Sequence, residues 1–537
     1  MISIRFALNP RFSRISSIFI VSLVLIGLGG VYKATAAVTP TVLVQGAPIQ
    51  GAGGIMFDSD DRLHIASLNA GGRVVVMDAE TGKILDSLVP GKAPNELTFG
   101  PDGSLYWTSL IRGEVGRLSV DGVETIQMVA MGVNPITFSD DGRLFVALDF
   151  MGDALYELDP ELVNPPRLIA ENLGFLNGMD WGSDGFLYGP IITKGQVVRV
   201  NVDTGEITPV SEGLGNPNAV RFDSQGRLHV TDTGKGEVSR IDIETGNREV
   251  IATGLYGIHS LAFDSHDRLF ISSHAEGFIV EVLPDGKKRT VSPGGMILPM
   301  GVAVLPRADG GESVFVADLH TLKEFDGLTG EQLSINRNSA SPITVSSDGK
   351  HLVLSSWYKN AVLVWNPETG KSLEEYRDFA VPINAIRFQG DLVVAELGTG
   401  SVVRMSAADP AERVTLVDAE DGLAVPAGLT ATDDDLWVSD WATGMVLQLV
   451  ADGQPLEKPI QVATGLAVPE GMAVAPDGSL LIVEAGAGRL SRIDLATGEV
   501  STVGEVKVGN VYTKTIPPVF NDVAVGPSGT NYFTSYV

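Results

Sequence analysis

Apolar and polar residues follow one another in short runs along this chain, each run closing on a turn rich in Asp, Gly and Ser. The stretch "NAVRFDSQGRLHVTDTGKGEVSRIDIETG" from Asn218 holds three such runs, and a near copy, "HSLAFDSHDRLFISSHAEGFIVEVLPDG", begins at His259. Alternation with a period of two marks a half-buried strand, and Asp-Gly pairs between runs mark hairpin turns. Variants of the phrase apolar-x-Phe-x-x-x-Gly-x-Leu-x-Val begin at Ile55, Leu97, Ile136, Met179, Val220, Leu261, Val302, Ile343, Ile386, Leu429, Met472 and Val523. Their spacing is 39 to 43 residues, except for a last step of 51 that contains "VYTKTIPPVF". Each copy predicts three strands and a weaker fourth, which is the content of a β-propeller blade. A solenoid would show a helix or a one-strand coil in each repeat.

The expected fold is therefore all-β: tandem β-propellers built from twelve four-stranded blades. Two six-bladed rings, 37–296 and 297–537, fit the count, and a split of five and seven fits it too. The last copy, "NDVAVGPSGTNYFTSYV", stops after two strands. The run "TVLV" at Thr41–Val44 is expected to exchange into the last ring or the first, hiding sheet edges.

Composition changes the picture in two ways. The chain contains no cysteine and carries a formal charge of −28 over 537 residues. Residues 1–36 read as a signal peptide: Arg5, Arg11 and Arg14 precede the apolar run "ISSIFIVSLVLIGLGGV", and "ATA" supplies a small-residue cleavage site. An uncleaved anchor is the alternative, although Ile15–Val31 is short for a membrane span. Cleavage would remove four basic and no acidic residues, deepening the negative charge by four. Such a surface repels nucleic acid and anionic lipid. These features predict an exported protein, periplasmic or secreted, whose stability comes from packing in place of disulfides. No membrane insertion is expected beyond the N-terminal segment.

The phrases "GMDWGSDGFLYG", "AVRFDSQGRLHVTD" and "EGMAVAPDGSLLIVEAGAGRLSRIDLATG" resemble the senescence-marker-protein/gluconolactonase family and the related NHL and streptogramin-lyase propellers. The resemblance covers nearly the whole chain after residue 36. It implies a calcium ion, or another divalent cation, held in a central channel by Glu, Asn and Asp just before innermost strands. The matching column here runs Gly53, Asn95, Asn134, Asn177, Asn218 and His259, then Met300, Ser341, Asn384, Ala427, Glu470 and Asn521. The family's Glu has its match only at Glu470, and neither half offers a complete ligand set. The candidate metal ligands are Asn95, Asn134, Asn177, Asn218, Asn384, Glu470, Asn521 and Asp522. The alternative is that the asparagines cap local turns.

Nearby acids extend the candidate set. Glu96 adjoins Asn95, while Asp232, Asp318, Glu396, Asp440 and Glu484 end second strands and would face the channel mouth. His259 is the candidate catalytic base, poised near neutral pH. His274 and His320 follow second strands, as solvated loop residues or as groups reaching the same face. His64 and His229 stand where other repeats place Tyr106, Phe145 and Phe270, and are expected to pack between blades. Trp357, Trp365, Trp437 and Trp441 would line a mouth for a sugar or aromatic ligand, or pack between blades.

Two functions follow. One is an exported metal-dependent hydrolase of a lactone or ester, with a small-molecule substrate. The other is a noncatalytic propeller scaffold that binds a protein partner or small ligand. A streptogramin-like lyase is a third reading.

Overall fold

The computed structural model describes residues 39–68, 72–337, 339–507 and 520–535. The expected signal segment, residues 1–36, and most of "VYTKTIPPVF" lie outside them. Among the described residues, the chain forms eleven four-stranded sheets and one of two strands, each strand pairing antiparallel with its neighbours in sequence. The sheets are numbered here 1 to 12 in chain order, beginning with the inner strands Ala52–Phe57, Glu96–Phe99, Val133–Phe138, Asp180–Trp181, Pro217–Phe222 and Ile258–Phe263. The second six begin with Pro299–Pro306, Thr344–Ser347, Pro382–Phe388, Pro426–Ala431, Pro469–Val474 and Val523–Val525.

The hairpins follow from the Asp-Gly turns. In "FGPDGSLYW" the Asp102 carboxylate accepts the Ser104 N–H at 2.9 Å, and Gly103 takes a left-handed φ of 80°. Sheets 1 and 6 put Asp61 and Asp267 at that left-handed position, with φ of 57° and 59°. Both side chains are used between sheets. Asp61 accepts Ser265 N–H at 2.9 Å and Asp267 accepts Ser224 N–H at 2.9 Å, tying sheet 6 to sheets 1 and 5.

Inner strands pack side by side in two circuits of six. The first runs through sheets 1 to 6 and returns from 6 to 1; the second runs through sheets 7 to 12 and returns from 12 to 7. In the first, every junction carries an aromatic pair: His64–Phe99, Tyr106–Phe138, Phe145–Trp181, Tyr188–Phe222, His229–Phe263 and, closing the circuit, Phe270–Phe57 at 4.9 Å. His64 and His229 thus occupy ring positions in this series and are buried.

Hydroxyls on second strands repeat the closure nearer the axis. Thr108 donates to the Asn134 carbonyl, Thr231 to that of His259, and Ser272 of sheet 6 to that of Gly53 in sheet 1 at 2.6 Å. In the second circuit Ser439 donates to the Glu470 carbonyl at 2.8 Å, and Thr534 of sheet 12 reaches the Met300 carbonyl of sheet 7 at 2.7 Å.

Thr41–Val44 is not a strand. Leu43 and Val44 pack against the apolar core of sheet 7, and the chain then bridges to Met296 through Ala47 N–H at 2.7 Å. Sheet 12 keeps its two strands, Val523–Val525 and Asn531–Phe533. No helix among the described residues is long and apolar enough to cross a membrane.

Candidate functional site

The column of residues that opens each inner strand forms two different interiors. In the first circuit the four asparagines bond to one another in order. Asn95 Nδ2 donates to Asn134 Oδ1, Asn134 Nδ2 to Asn177 Oδ1 at 3.2 Å, and Asn177 Nδ2 to Asn218 Oδ1 at 2.5 Å. Asn134 Nδ2 also donates to Asp149, and Asn177 Oδ1 accepts the Gly178 N–H at 2.8 Å, which fixes the direction of the chain. Three of the four amide oxygens are therefore engaged. The amides satisfy each other between sheets, because a buried amide without a partner is costly.

Buried acids surround that amide chain. Both Glu96 oxygens and Asp149 Oδ1 are buried without a hydrogen-bond partner. Burial pushes Glu96 up to about 7, against the pull of Arg221, and pushes Asp149 up to about 7 as well. His259, expected near neutrality, is instead driven by burial down to about 4, and its Nδ1 has no partner. It is a neutral imidazole across the physiological range.

The acids at second-strand ends take up local backbone donors. Each holds the loop that leads into its own sheet. Asp232 accepts Gly215 and Asn216 N–H, Asp318 those of Ile297 and Leu298, and Asp440 those of Ala424 and Val425. Glu396 accepts from Ala380 and Glu484 from Ala467. Where the position is serine, the stitch is reversed: Ser67, Ser109, Ser273 and Ser356 donate to loop carbonyls. An acceptor-only carboxylate and a hydroxyl donor thus meet the same need from opposite sides.

The second column is more apolar and less satisfied. Glu470 is fully buried, and its Oε2 accepts both Asn521 N–H and Asn521 Nδ2, each at 2.7 Å. Asn521 Oδ1 is left without a partner. Burial raises Glu470 to about 7 against its Asn521 donors, and raises Asp522 to about 8 against its backbone donors, with the Glu470 charge adding to the rise. Both Asp522 oxygens accept backbone N–H groups, from Val523 at 2.9 Å and Val302 at 3.2 Å. Around the column, Leu319, Trp357, Leu397 and Trp441 pack on a cluster that includes Met300 and Ala427. The Trp441 indole N–H lies near enough to lower the Glu470 pKa, yet completes no hydrogen bond. Trp365 and Trp437 pack in apolar clusters of their own.

In the first column three of the four amide oxygens already accept from neighbouring amides. As a cation site the second fits better: the Glu470 carboxylate, whose Oε1 lies outside the Asn521 bonds, one orphaned amide oxygen on Asn521, and Asn384 two sheets away in the same column. Among the described residues, no three His, Cys, Asp or Glu side chains already surround one point.

The sheets define a β-propeller protein. No protein-family model and no curated protein matches the chain. It is similar in structure to a streptogramin B lyase, 18% identical over 51% of this chain and 93% of that one, with a TM-score of 0.39. It is also similar to a virginiamycin B lyase from Staphylococcus aureus, 15% identical over 57% and 92%, TM-score 0.37. A gluconolactonase from Xanthomonas campestris is 19% identical over 43% and 85%, TM-score 0.35.

Proposed function

We propose that the second channel is the substrate site of an exported hydrolase that opens a lactone or cleaves an ester. The observation that carries this reading is Glu470 Oε1. Oε2 and both Asp522 oxygens accept from Asn521, Val523 and Val302, and Oε1 is the oxygen of the pair outside those bonds, in a buried column walled by Trp357, Trp441 and two leucines. An apolar cleft with a few convergent polar groups and a shifted carboxyl is the usual form of a small-molecule site.

Glu470, Asn521 and Asn384 are the residues that would hold a divalent cation. Bound there, a cation such as Ca2+ supplies Lewis-acid polarisation of the substrate carbonyl. The protein's own part is separate. The indoles and leucines exclude bulk water, which strengthens every charge inside. The Asn521 N–H and amide hold Glu470 Oε2 in place, which leaves Oε1 to hold the ion. Trp441 Nε1–H is a buried donor without a partner beside Glu470, available to a substrate oxygen.

The first channel supports the scaffold reading for its half of the molecule, because its asparagines are committed to one another. The test is calorimetric titration with Ca2+ of metal-stripped protein lacking residues 1–36, alongside turnover on a panel of lactones and esters. Binding and turnover should be lost together in Glu470→Gln and persist in Asn177→Ala. Product mass separates addition of water from elimination. No turnover on any member of the panel, with or without Ca2+, would sink the reading and favour a partner-binding scaffold.

A further inference from the structure

Three histidines meet where the two circuits adjoin. His259 stands in the column of sheet 6, His274 follows the second strand of the same sheet, and His320 follows the second strand of sheet 7, in the other circuit. Ring centres lie 5.7 Å apart for His259–His274 and 5.5 Å for His274–His320. His259 Nδ1 and His274 Nε2 are buried without any hydrogen-bond partner. All three residues are half-buried as a whole, while these nitrogens are not exposed.

The charged groups nearby are already committed. Asp318 accepts Ile297 and Leu298 N–H and is paired with Lys323; Glu276 is paired with Arg337. No free carboxylate is therefore on hand to partner a protonated imidazole. Burial lowers the pKa of each of the three, and the mutual proximity of the rings lowers His274 further. They are neutral at pH 7, the form that binds metal.

We propose that His259, His274 and His320 form a binding site for a borderline divalent transition ion, of the zinc, copper or nickel class, that links the two circuits. Imidazole nitrogen suits these ions, whereas the second channel offers oxygen only. Two imidazoles on one tetrahedral ion place their ring centres about 5.2 Å apart, given metal–nitrogen bonds of about 2.0–2.1 Å. For the two pairs that share His274, the observed 5.5 and 5.7 Å exceed that by a few tenths of an ångström; His259 and His320 meet only through His274. The donors do not yet converge on one point, and rotation of the rings about χ2 is the movement that ligation adds. The site is independent of Glu470 and of the hydrolase reading.

The test is calorimetric titration of metal-stripped protein lacking residues 1–36 with zinc chloride, for the wild type and for His259→Gln, His274→Gln, His320→Gln and Glu470→Gln. Thermal unfolding of each is recorded in chelator and in zinc. The expected result is one ion per chain, at least tenfold weaker in each histidine variant and unchanged in Glu470→Gln. Zinc should raise the melting temperature of the wild type and not of the three variants. Absence of stoichiometric binding overturns the proposal, as does binding that survives all three substitutions, which would assign the ion to the acidic surface. Loss in His259→Gln and His274→Gln but not in His320→Gln overturns the link between circuits. Should a variant fail to fold, cobalt(II) on the wild type decides: a visible spectrum of low-coordinate nitrogen ligation supports the site, and an aquo spectrum overturns it.

Discussion

Glu96 shows how one residue sets conditions for its surroundings. Its carboxyl fills the space that Gly54 leaves by lacking a Cβ, and Asp522 fills the same space against Gly471 in the other circuit. A methyl at Gly54 would overlap that carboxyl, so Gly54→Ala should destabilise the protein well beyond an ordinary Gly→Ala change. Adding Glu96→Ala should relieve part of the loss, a non-additivity readable in urea unfolding. The carboxyl also carries a pH signature. In the folded state it keeps its proton up to about pH 7, whereas the unfolded chain releases it near 4.5. The folded state therefore binds more protons between those values, and the Glu96 contribution to stability falls as pH rises from about 4.5 to about 7, then levels off. Glu96→Gln removes the ionisation. It should match the wild type near pH 5 and exceed it at pH 8 by up to about 3 kcal/mol. Equal stability at pH 8 would mean that the carboxyl is solvated after all.

Among elements, the aromatic series of the first circuit is the joint between sheets. Each pair adds about 0.5–1.5 kcal/mol beyond the area it buries. Phe270→Ala removes the closing pair with Phe57 together with a fully buried side chain. We expect a loss of about 3–5 kcal/mol, measured by denaturant unfolding, and a much smaller loss for His64→Phe, which keeps the edge contact to Phe99. The strands and turns were legible in the sequence because period-two alternation and Asp-Gly signals are local. Met179 and Ile343 mark the limit of that reading, since their strands begin one residue later, at Asp180 and Thr344. The positions of the asparagine column were legible as well, but not their bonds: each partner lies 39 to 43 residues away, and the contact exists only once the circuit is closed. The bonds of Asp232, Asp318 and Asp440 were hidden for a related reason. Alternation places them at a strand end, yet whether a carboxylate turns to the axis or to a loop N–H depends on the backbone of the incoming chain. The meeting of His259, His274 and His320 was legible only as one of two alternatives for residues that follow second strands, because His320 comes from the neighbouring circuit.

On the scale of the whole molecule, each circuit closes at a single junction, and the two junctions are unequal. Sheets 6 and 1 are joined by the Phe270–Phe57 pair, the Ser272 hydroxyl and the Asp61–Ser265 bonds. Sheets 12 and 7 are joined through a two-stranded sheet, by Thr534 on Met300, Asp522 on Val302, and the Tyr532 hydroxyl donating to Glu312 at 2.8 Å. Tyr532→Phe leaves Glu312 short of a donor, which should cost about 1–3 kcal/mol. Since its partners lie wholly in the second circuit, its effect should add to that of Phe270→Ala. Amide hydrogen exchange reads the difference in place. Tyr532→Phe should speed exchange in sheets 7 and 12 while sheets 1 to 6 keep their protection, and Phe270→Ala should do the converse. If either substitution accelerates all twelve sheets alike, the circuits open as one cooperative body, and the junction at the three histidines, with the segment through Ala47 and Met296, binds them more tightly than their own closures do.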